Sequence, residues 1–424
     1  MRTRANPALA KSEAVEAGKS TRPRVRLPRV LRVLGPGLIA GASDNDPTTV
    51  ATVAVVGSTT VYALGWVTVL IFPMLAVVQA IAGRVGLVTR RDLGAVVRGR
   101  YGSRSSSLLV FSVVCVTVLT LAADVKAGAA ALGLLFSLDL RWFIIPLALA
   151  VLATLWLGSH QRVQRILKVV ALVFLAYVVG AVAAHPNWKA VMHGSLIPSW
   201  RWNSDYTQGA LALLGTTLTS YVYVWQTVEV AEDPPYDSVR GASFDAVSGA
   251  FFVVTIFWFV LVATGATLGV HHHQVQTAVQ AASALRPVAG AAASAIFSIG
   301  LLASALLAVP VLMATSAYLI SRHRRWPCGL SHPPRSAPKF YATMTAALAL
   351  AVVIAFLGIS PIHLLIVASI AGAIGTPVSL VFLLLVGRDP HTMGSGRVPR
   401  GLTLAGYLVA VTVTVFGIAS LLTG

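Results

Sequence analysis

The chain has 424 residues, of which 56% are hydrophobic and only 11% are charged, and its formal net charge is +18. Because a soluble domain carries about 25% charged residues, this composition excludes a water-soluble globular protein and predicts a membrane protein. The basic residues lie between apolar runs rather than together on one soluble domain, which argues against nucleic-acid binding.

The chain begins with a polar, basic stretch. Residues 1–32 hold nine Lys or Arg and two Glu before any apolar run begins. They lack the short apolar core and the small-residue cleavage site of a secretory signal. The sequence therefore predicts a disordered, basic cytoplasmic tail.

Behind the tail, apolar segments recur that are long enough to cross a bilayer, which takes about 20 helical residues. They predict an all-α membrane protein with about eleven transmembrane helices. The third and eighth segments are longer than a crossing needs, so tilt or additional helical turns outside the bilayer are expected. The segments lie at 34–58, 61–83, 106–136, 141–158, 165–184, 207–230, 244–270, 288–320, 340–358, 362–387 and 402–423.

The loops between these segments differ in charge. With the N-terminus inside, the inside segments hold 27 Lys or Arg and the outside segments hold four, while Lys126 lies within a span. Loops rich in Lys and Arg stay cytoplasmic. This asymmetry predicts a multi-pass protein of the cell inner membrane with a cytoplasmic N-terminus and an outside C-terminus.

The first span is interrupted by the polar residues Ser43, Asp44 and Asp46 and by Pro47. Proline lacks a backbone donor and clashes with the preceding helical turn. Carboxylates at membrane depth are costly unless they are protonated, paired, or in contact with water or a cation. A polar kink at a helix end is the alternative, but the apolar run continues beyond Asp46, which favours a helix broken within the membrane.

The sixth span stacks hydroxyls and an amide between Gly215 and Gln226 but has no proline. Side chains that bond back to helix carbonyls would explain this stretch on its own. The first and sixth spans, however, hold matching positions in two halves of five helices each, and an odd number of helices gives the halves opposite orientations. Paired interruptions in inverted repeats indicate a substrate site near the middle of the membrane.

These halves also set the predicted organisation of the chain. The tail is followed by a first inverted repeat of spans one to five, an outside loop, a second inverted repeat of spans six to ten, and a cytoplasmic loop with the eleventh span. The boundaries predicted for these four parts are 33–184, 185–206, 207–387 and 388–424.

One acidic residue lies deep in the third span. Asp124 precedes Lys126 by two residues, and residues at this spacing point to different faces of a helix. The two are therefore not expected to pair directly. An ion pair with another helix and a role in a proton or ion relay are both open interpretations of Asp124.

An acidic cluster follows at the inner end of the sixth span. A solvated loop is the favoured interpretation, and a cytoplasmic gate that pairs with the basic segment 84–105 is the alternative. The cluster consists of Glu229, Glu232, Asp233 and Asp237.

Several classes of function lack their sequence signatures. No segment matches the phosphate-binding pattern G-x-x-x-x-G-K-[ST], so ATP-driven pumping by this chain is not expected. No Ser–His pair or zinc-type His-Glu motif lies within a span, so intramembrane hydrolysis has no support. We therefore expect neither an enzyme nor a cofactor, and the expected ligand is a transported ion.

Three stretches resemble one known family. They are GPGLIAGASDNDPTTVAT, then Gly65-Trp66 with the basic segment GRVGLVTRRDLGAVVRGRYG, and finally GTTLTSYVYVWQ. They resemble the Nramp family of divalent-metal transporters over roughly residues 33 to 420, and in particular a divergent, Nramp-related bacterial branch. The resemblance implies a LeuT-type fold, in which five plus five helices form an inverted repeat with helices one and six broken, plus an eleventh helix.

The resemblance also implies roles for residues of the first span. The family's Asp-Pro-Gly-Asn pattern in the first broken helix falls on Asp46-Pro47-Thr48-Thr49. The aspartate is kept, Thr49 stands in place of the asparagine, and Pro47 marks the helix break.

In the sixth helix, the family's Met-Pro-His pattern falls on Thr219-Ser220-Tyr221, with Ser220 at the break. A later histidine of that helix falls on Gln226, and an acid of the third helix falls on Asp124. The resemblance therefore implies that Asp124, Gln226 and Tyr221 line an ion or proton pathway.

On this alignment we expect a secondary transporter that moves divalent cations of the Mg²⁺ or Mn²⁺ class by alternating access. A thioether is a soft ligand, and its replacement by Thr219 leaves oxygen ligands, which suit hard cations. The alternatives are the same fold carrying a small organic or other inorganic solute, and a membrane scaffold that binds metal without transporting it. The expected metal ligands are Asp46, the hydroxyls of Thr49 and Thr219, backbone carbonyls near Ser43 and Thr216, and Asp44.

Overall fold

The computed structural model describes residues 45–157, 175–201, 203–232, 238–271, 280 and 293–423. Within these residues the regular structure is entirely helical, which confirms the predicted class. The predicted tail and the first span up to residue 44 lie outside the described residues.

Fourteen α-helices follow one another in the described residues, and a π-helical turn at Gly265–Gly269 extends the ninth. We number them in chain order. They are α1 (Pro47–Thr60), α2 (Gly65–Thr89), α3 (Leu93–Phe136), α4 (Arg141–Leu157), α5 (Leu175–Ala183), α6 (Trp188–Leu196), α7 (Ser204–Thr217), α8 (Ser220–Glu232), α9 (Val239–Thr264), α10 (Ala293–Arg324), α11 (Pro338–Ala355), α12 (Pro361–Arg388), α13 (Pro390–Met393) and α14 (Arg400–Thr423).

Seven helices in the described residues are long and apolar enough to cross a membrane, namely α2, α3, α9 with its π-helical turn, α10, α11, α12 and α14. The shorter apolar helix α4 matches one more of the predicted spans, the fourth. The other three predicted spans are the first, described from α1 onward, the fifth, described from α5 onward, and the sixth, which is divided between α7 and α8. The total of eleven therefore stays a prediction.

The longest helix, α3, begins before the predicted third span and bends at a glycine. Asp92 caps its N-terminus by accepting a hydrogen bond from the N–H of Ala95 at 2.8 Å. Gly102 interrupts the helical backbone with a φ of 83°. Glycine adopts this conformation readily because glycine has no Cβ. The helical segment 93–101 precedes this bend and lies outside the predicted third span, which falls entirely within the part of α3 after Gly102.

The predicted outside loop contains a short helix, α6. Asn187 caps α6 by accepting a hydrogen bond from the N–H of Ala190 at 3.2 Å. Near the other end of the helix, Ser195 Oγ accepts a hydrogen bond from Trp258 Nε1 of α9 at 2.8 Å. The connection between the two predicted repeats therefore contains a helix that is docked on α9.

The helices α7 and α12 cross at two glycines beside the interruption of the sixth span. A Cβ added to Gly215 would lie 2.1 Å from the carbonyl oxygen of Ser369. A Cβ added to Gly372 would lie 2.7 Å from the carbonyl oxygen of Gly215. Both distances are shorter than van der Waals contact, so the absence of a side chain at these positions is what lets α7 end against α12.

Replacing Gly215 with alanine is expected to destabilise the fold by about 1–3 kcal/mol, the usual cost of adding a methyl group to a packed core. The measurement is the midpoint of thermal unfolding of the purified protein in detergent. Gly417→Ala in α14 is the matched control, because a Cβ there meets nothing within 4 Å. A Gly215→Ala variant that unfolds at the same temperature as the control would contradict the close crossing.

Two ion pairs in the described residues anchor the N-terminal part of α3. Arg322 Nε lies 2.7 Å from Asp92 Oδ2, and Arg100 Nε lies 2.8 Å from Asp389 Oδ2. The hydrogen bond from Arg100, aided by one from Thr392, lowers the pKa of Asp389 to about 2. The stabilisation from this carboxylate is therefore present at neutral pH and declines as the pH falls from the ordinary value of 3.8 towards 2.

Candidate metal-binding site

The centre of the candidate site is Asp46, which caps the N-terminus of α1. Its backbone is extended, and its Oδ1 accepts a hydrogen bond from the N–H of Thr49 at 2.6 Å. Pro47 is the first residue of the helix, where a missing N–H costs no hydrogen bond. The carboxylate is only 1% exposed. The sequence Asp-Pro therefore begins α1 at a buried acid.

The second oxygen of Asp46 contacts the other interrupted span. Tyr221 donates its hydroxyl to Asp46 Oδ2 at 2.8 Å, and Tyr221 is completely buried. It lies in the first turn of α8, directly after the interruption, in which α7 ends at Thr217 and α8 begins at Ser220. Asp46 thus joins the start of α1 to the start of α8.

Three threonine hydroxyls meet where α1 contacts the end of α7. The Oγ1 atoms of Thr49 and Thr216 lie 2.8 Å apart, and Thr49 Oγ1 also donates to the carbonyl oxygen of Thr216 at 3.3 Å. Thr219 Oγ1 donates to the same carbonyl oxygen at 2.8 Å. A hydroxyl that donates its proton to a carbonyl keeps its lone pairs as acceptors. Thr219 can therefore offer oxygen lone pairs without losing its own hydrogen bond.

Asp124 approaches α1 from α3. Its Oδ1 accepts from the hydroxyl of Thr48 at 2.6 Å and from the N–H of Thr48 at 3.2 Å. Its Oδ2 is buried and has no hydrogen-bond partner among the described residues. Lys126 is directed elsewhere and donates to the carbonyl oxygen of Leu357 at 2.6 Å. The partner of Asp124 in this structure is therefore a threonine of α1 rather than a basic side chain.

Helix α12 braces both interrupted spans with neutral hydrogen bonds. The hydroxyls of Thr52 on α1 and Ser369 on α12 lie 2.8 Å apart. Thr376 donates to the carbonyl oxygen of Leu218, which lies within the interruption, at 3.0 Å. Tyr223 of α8 donates to the carbonyl oxygen of Thr376 at 3.1 Å. A single helix therefore holds α1, the interruption and α8 in register.

Further polar groups are buried near these helices without protein partners among the described residues. They are both side-chain heteroatoms of Asn45, both of Gln79 on α2, and Gln226 Oε1 on α8. The carbonyl oxygen of Asn45 accepts a hydrogen bond from Ser304 of α10. Because buried polar groups normally find a partner, these amides mark positions where water or substrate can be contacted.

The structure thus brings together Asp46, Thr49, Thr216, Thr219 and Tyr221 through direct hydrogen bonds. The interruption itself falls on Leu218 and Thr219, so Ser220 opens α8 rather than breaking a helix. Ser43 and Asp44 lie outside the described residues.

Sequence reasoning missed three residues here, Thr48, Gln79 and Ser304. Gln79 carries the clearest signal that could have revealed it, because a lone amide in an apolar run is rarely without a role in a membrane.

Part of the acidic cluster after the sixth span also differs from expectation. Glu229 is 8% exposed and lies inside α8, so the interpretation as a solvated loop is wrong for this residue. Glu232 is the last residue of α8. Asp233 and Asp237 lie outside the described residues.

The comparisons with known proteins bear on this arrangement. The family model described as natural resistance-associated macrophage protein-like, or Nramp, matches residues 37–423. This chain belongs to the Nramp family. The match confirms the resemblance seen in the sequence and covers every described residue of the candidate site.

Curated relatives of this Nramp protein carry the name divalent metal cation transporter MntH. The one from Xylella fastidiosa strain 9a5c is 27% identical over 410 residues, covering 92% of this chain and 84% of its own length. The one from Brucella suis biovar 1 is 27% identical over 420 residues, covering 93% and 88%.

Solved structures show the fold of this Nramp protein. A crystal structure of the Eremococcus coleocola manganese transporter superposes with a TM-score of 0.72 at 20% identity, covering 93% of this chain and 88% of that one. The closed conformation of Mhp1, a nucleobase-cation-symport-1 family transporter, gives a TM-score of 0.60 at 16% identity, covering 92% and 91%. The predicted LeuT-type fold is therefore confirmed, and the chain is a multi-pass membrane protein.

Proposed function

We propose that this chain is a secondary transporter that moves divalent cations of the Mg²⁺ or Mn²⁺ class across the cell membrane by alternating access. The observation that carries the proposal is Asp46, a buried carboxylate held between α1 and α8 beside an interrupted helix. A carboxylate at this depth is costly unless a cation, a proton or water meets it. The curated relatives are named as divalent metal cation transporters, and this supports the proposal.

The ligands around Asp46 favour a hard cation. Asp46 Oδ1 accepts a hydrogen bond from the N–H of Thr49, Oδ2 accepts one from the hydroxyl of Tyr221, and both oxygens keep lone pairs for a cation. The hydroxyls of Thr49 and Thr219 and the carbonyl of Thr216 add neutral oxygens. Oxygen ligands suit Mg²⁺ and Mn²⁺, and Mg²⁺ would retain several waters because it dehydrates reluctantly.

The described residues offer no alternative cluster of charged or soft ligands. Nowhere in them do three His, Cys, Asp or Glu side chains gather into a possible metal site. A cation at Asp46 would accordingly be held by one or two carboxylates, neutral oxygens and water. Proteins usually bind Mg²⁺ in this way, through one or two carboxylates and with several waters retained.

We assign Asp124 to the ion or proton pathway, together with Gln226 and Tyr221, because its Oδ2 is buried and unbonded among the described residues. Asp124→Asn is expected to retain cation uptake but to weaken the response of uptake to an imposed pH gradient, since an amide cannot carry the proton. The measurement is Mn²⁺ uptake by proteoliposomes with and without the gradient. Asp139→Asn, at an exposed position, is the control. An undiminished response in Asp124→Asn would refute the assignment.

The remaining features of the proposal follow from the loop charges and the repeat pattern. The N-terminus is cytoplasmic and the C-terminus is outside, and the inverted repeats occupy 33–184 and 207–387. The chain uses neither ATP nor a resident cofactor and catalyses no covalent reaction. The 27 basic residues of the inside segments, against four outside, support this orientation.

The experiment that tests the function is uptake of Mn²⁺ and of Mg²⁺ into proteoliposomes, each with and without a pH gradient. Saturable uptake of either cation by the purified chain supports the proposal. Binding without flux would indicate a scaffold instead. Flux of a small organic solute that neither cation inhibits would indicate a different cargo on the same fold.

A further inference from the structure

A cavity of about 580 Å³ lies away from the candidate metal site, where the corner between α2 and α3 meets the ends of α8 and α10. Its volume falls within the range of roughly 300–1,000 Å³ that is usual for sites of small molecules. The predicted orientation places this end of the molecule on the cytoplasmic side. Its charged lining consists of Arg90, Arg91, Asp92, Arg98, Glu232, Arg322 and Arg325.

The lining has more positive charge than its own carboxylates can neutralise. Five arginines face two acids, and one pair is closed, since Arg322 Nε lies 2.7 Å from Asp92 Oδ2. The other four arginines form no ion pair among the described residues. The Nε of Arg98 is buried without a hydrogen-bond partner among them. With Glu232 counted, the cavity keeps a net charge of about +3.

General features of membrane proteins do not account for this convergence. Cytoplasmic loops attract basic residues, and helix C-termini favour them, which explains why arginines follow the end of α2 and occupy the last turn of α10. Neither effect draws side chains from separate helices into one cavity. An excess of positive charge also repels a divalent cation, so the cavity is unsuited to the transported metal.

We propose that this cavity is a binding site for an anionic ligand that carries a phosphate group. The guanidinium fork matches phosphate oxygens with paired, charge-assisted hydrogen bonds. The space exceeds what a bare phosphate needs and leaves room for an attached group beside Trp326. A lipid headgroup and a free phosphate compound share this chemistry, and basic pockets between membrane helices are known to take lipid headgroups.

The occupant would join elements that are already coupled. Arg322 and Asp92 link α10 to α3, and the N–H of Leu93 donates to the hydroxyl of Thr227 on α8 at 2.9 Å. A phosphate held by Arg91, Arg98 and Arg325 would add bonds across the same junction. Binding is therefore expected to raise the thermal stability of the full chain.

The first test measures binding to the full-length protein in phosphatidylcholine nanodiscs at constant ionic strength. The probes are inorganic pyrophosphate and ATP, with chloride as the reference anion, read out by calorimetry and by the shift in unfolding temperature. A second arm compares nanodiscs that contain phosphatidylglycerol and detects retained lipid by native mass spectrometry. Binding of the free probes identifies a soluble phosphate source, whereas retained phosphatidylglycerol that blocks pyrophosphate identifies the lipid.

The decisive variant is Arg91→Gln/Arg98→Gln/Arg325→Gln, which removes three of the unpaired arginines of the cavity. It is expected to weaken binding of whichever source is found by at least about tenfold, through loss of charge-assisted bonds. The single variant Arg98→Lys keeps the charge but loses the fork, and an intermediate loss is expected.

The matched control is Arg104→Gln/Arg335→Gln/Arg400→Gln, which removes the same charge from three exposed positions outside the cavity. Binding within about twofold of the parent is expected for this variant, because distant surface charges are screened. The proposal is overturned if neither source binds the parent, or if the control loses as much affinity as the cavity variant. The triple variant could lose binding because it folds poorly. Arg98→Lys guards against that folding artefact, since it is a single substitution that preserves the net charge.

Discussion

Asp46→Ala is expected to reduce Mn²⁺ and Mg²⁺ uptake by proteoliposomes about 100-fold or more. Asp46 is 1% exposed and, among the residues that the structure describes, is the charged residue that contacts both interrupted spans, through its bonds to Thr49 and Tyr221. Removing one partner of a buried charge pair costs about 3–5 kcal/mol, which corresponds to a factor of roughly 10² to 10⁴ in an equilibrium constant.

Loss of the helix cap has to be separated from loss of the charge, because an alanine at a cap costs about 0.5–2 kcal/mol of stability. Asp46→Asn makes that separation, since asparagine caps helices as well as aspartate does but carries no charge. We expect it to fold like the parent and to transport as poorly as Asp46→Ala. Asp205→Ala, at an exposed acid of α7, is the control for surface charge. Parental uptake rates in Asp46→Asn would show that the charge does not hold the cation.

Thr219→Met is expected to shift the ratio of Mn²⁺ to Mg²⁺ uptake about tenfold towards Mn²⁺. The hydroxyl of Thr219 donates to the carbonyl of Thr216 and presents its lone pairs, so in the proposed site it is an oxygen ligand. A thioether at the same position is a soft ligand that favours transition metals over Mg²⁺. The measurement is competitive uptake of the two cations, with a tenfold change equal to about 1.4 kcal/mol of discrimination.

Thr219→Val is the matched control for this substitution. Valine has nearly the shape of threonine but lacks the hydroxyl, so it removes the oxygen without adding sulfur. It is expected to slow uptake of both cations while leaving their ratio close to that of the parent. If Thr219→Met and Thr219→Val give the same ratio, the side chain at position 219 does not contact the metal.

Much of the fold could be predicted from hydropathy and loop charge, because a bilayer forces apolar stretches into helices of similar length. What hydropathy could not show is the segment 93–101 ahead of the bend at Gly102, and the surface helix α6. Both are short helices outside the long apolar runs. Their positions depend on a glycine with positive φ and on an asparagine cap, which are local signals that are easily lost between long apolar runs.

The site was predictable to the extent that single residues carry a strong local signal. The pair Asp46-Pro47 predicts the start of a helix, and α1 begins at Pro47 in the structure. The sixth span has no proline, yet it too is interrupted, because Thr217 and Thr219 bond back to carbonyls and Thr376 of α12 takes the carbonyl of Leu218. The two explanations weighed for this stretch, back-bonding hydroxyls and a broken helix, are therefore both present.

The long-range contacts could not be predicted from local pattern. Thr48 follows the proline without distinction in sequence, but it donates twice to Asp124, 76 residues away. Asp124 could equally have faced a basic residue, since a lone acid in a span carries no information about its partner. Only the packing of α3 against α1 decides between these outcomes.

The bracing of both interrupted spans by α12 sets the energetic scale on which the molecule can rearrange. The bonds involved, Thr52 to Ser369, Thr376 to Leu218 and Tyr223 to Thr376, are all between neutral groups. Such bonds contribute about 0.5–1.5 kcal/mol each, and hydroxyls can exchange one acceptor for another by rotating. A slide of α12 along these helices would thus trade a few kcal/mol at most, a gap small enough for thermal motion to populate both arrangements.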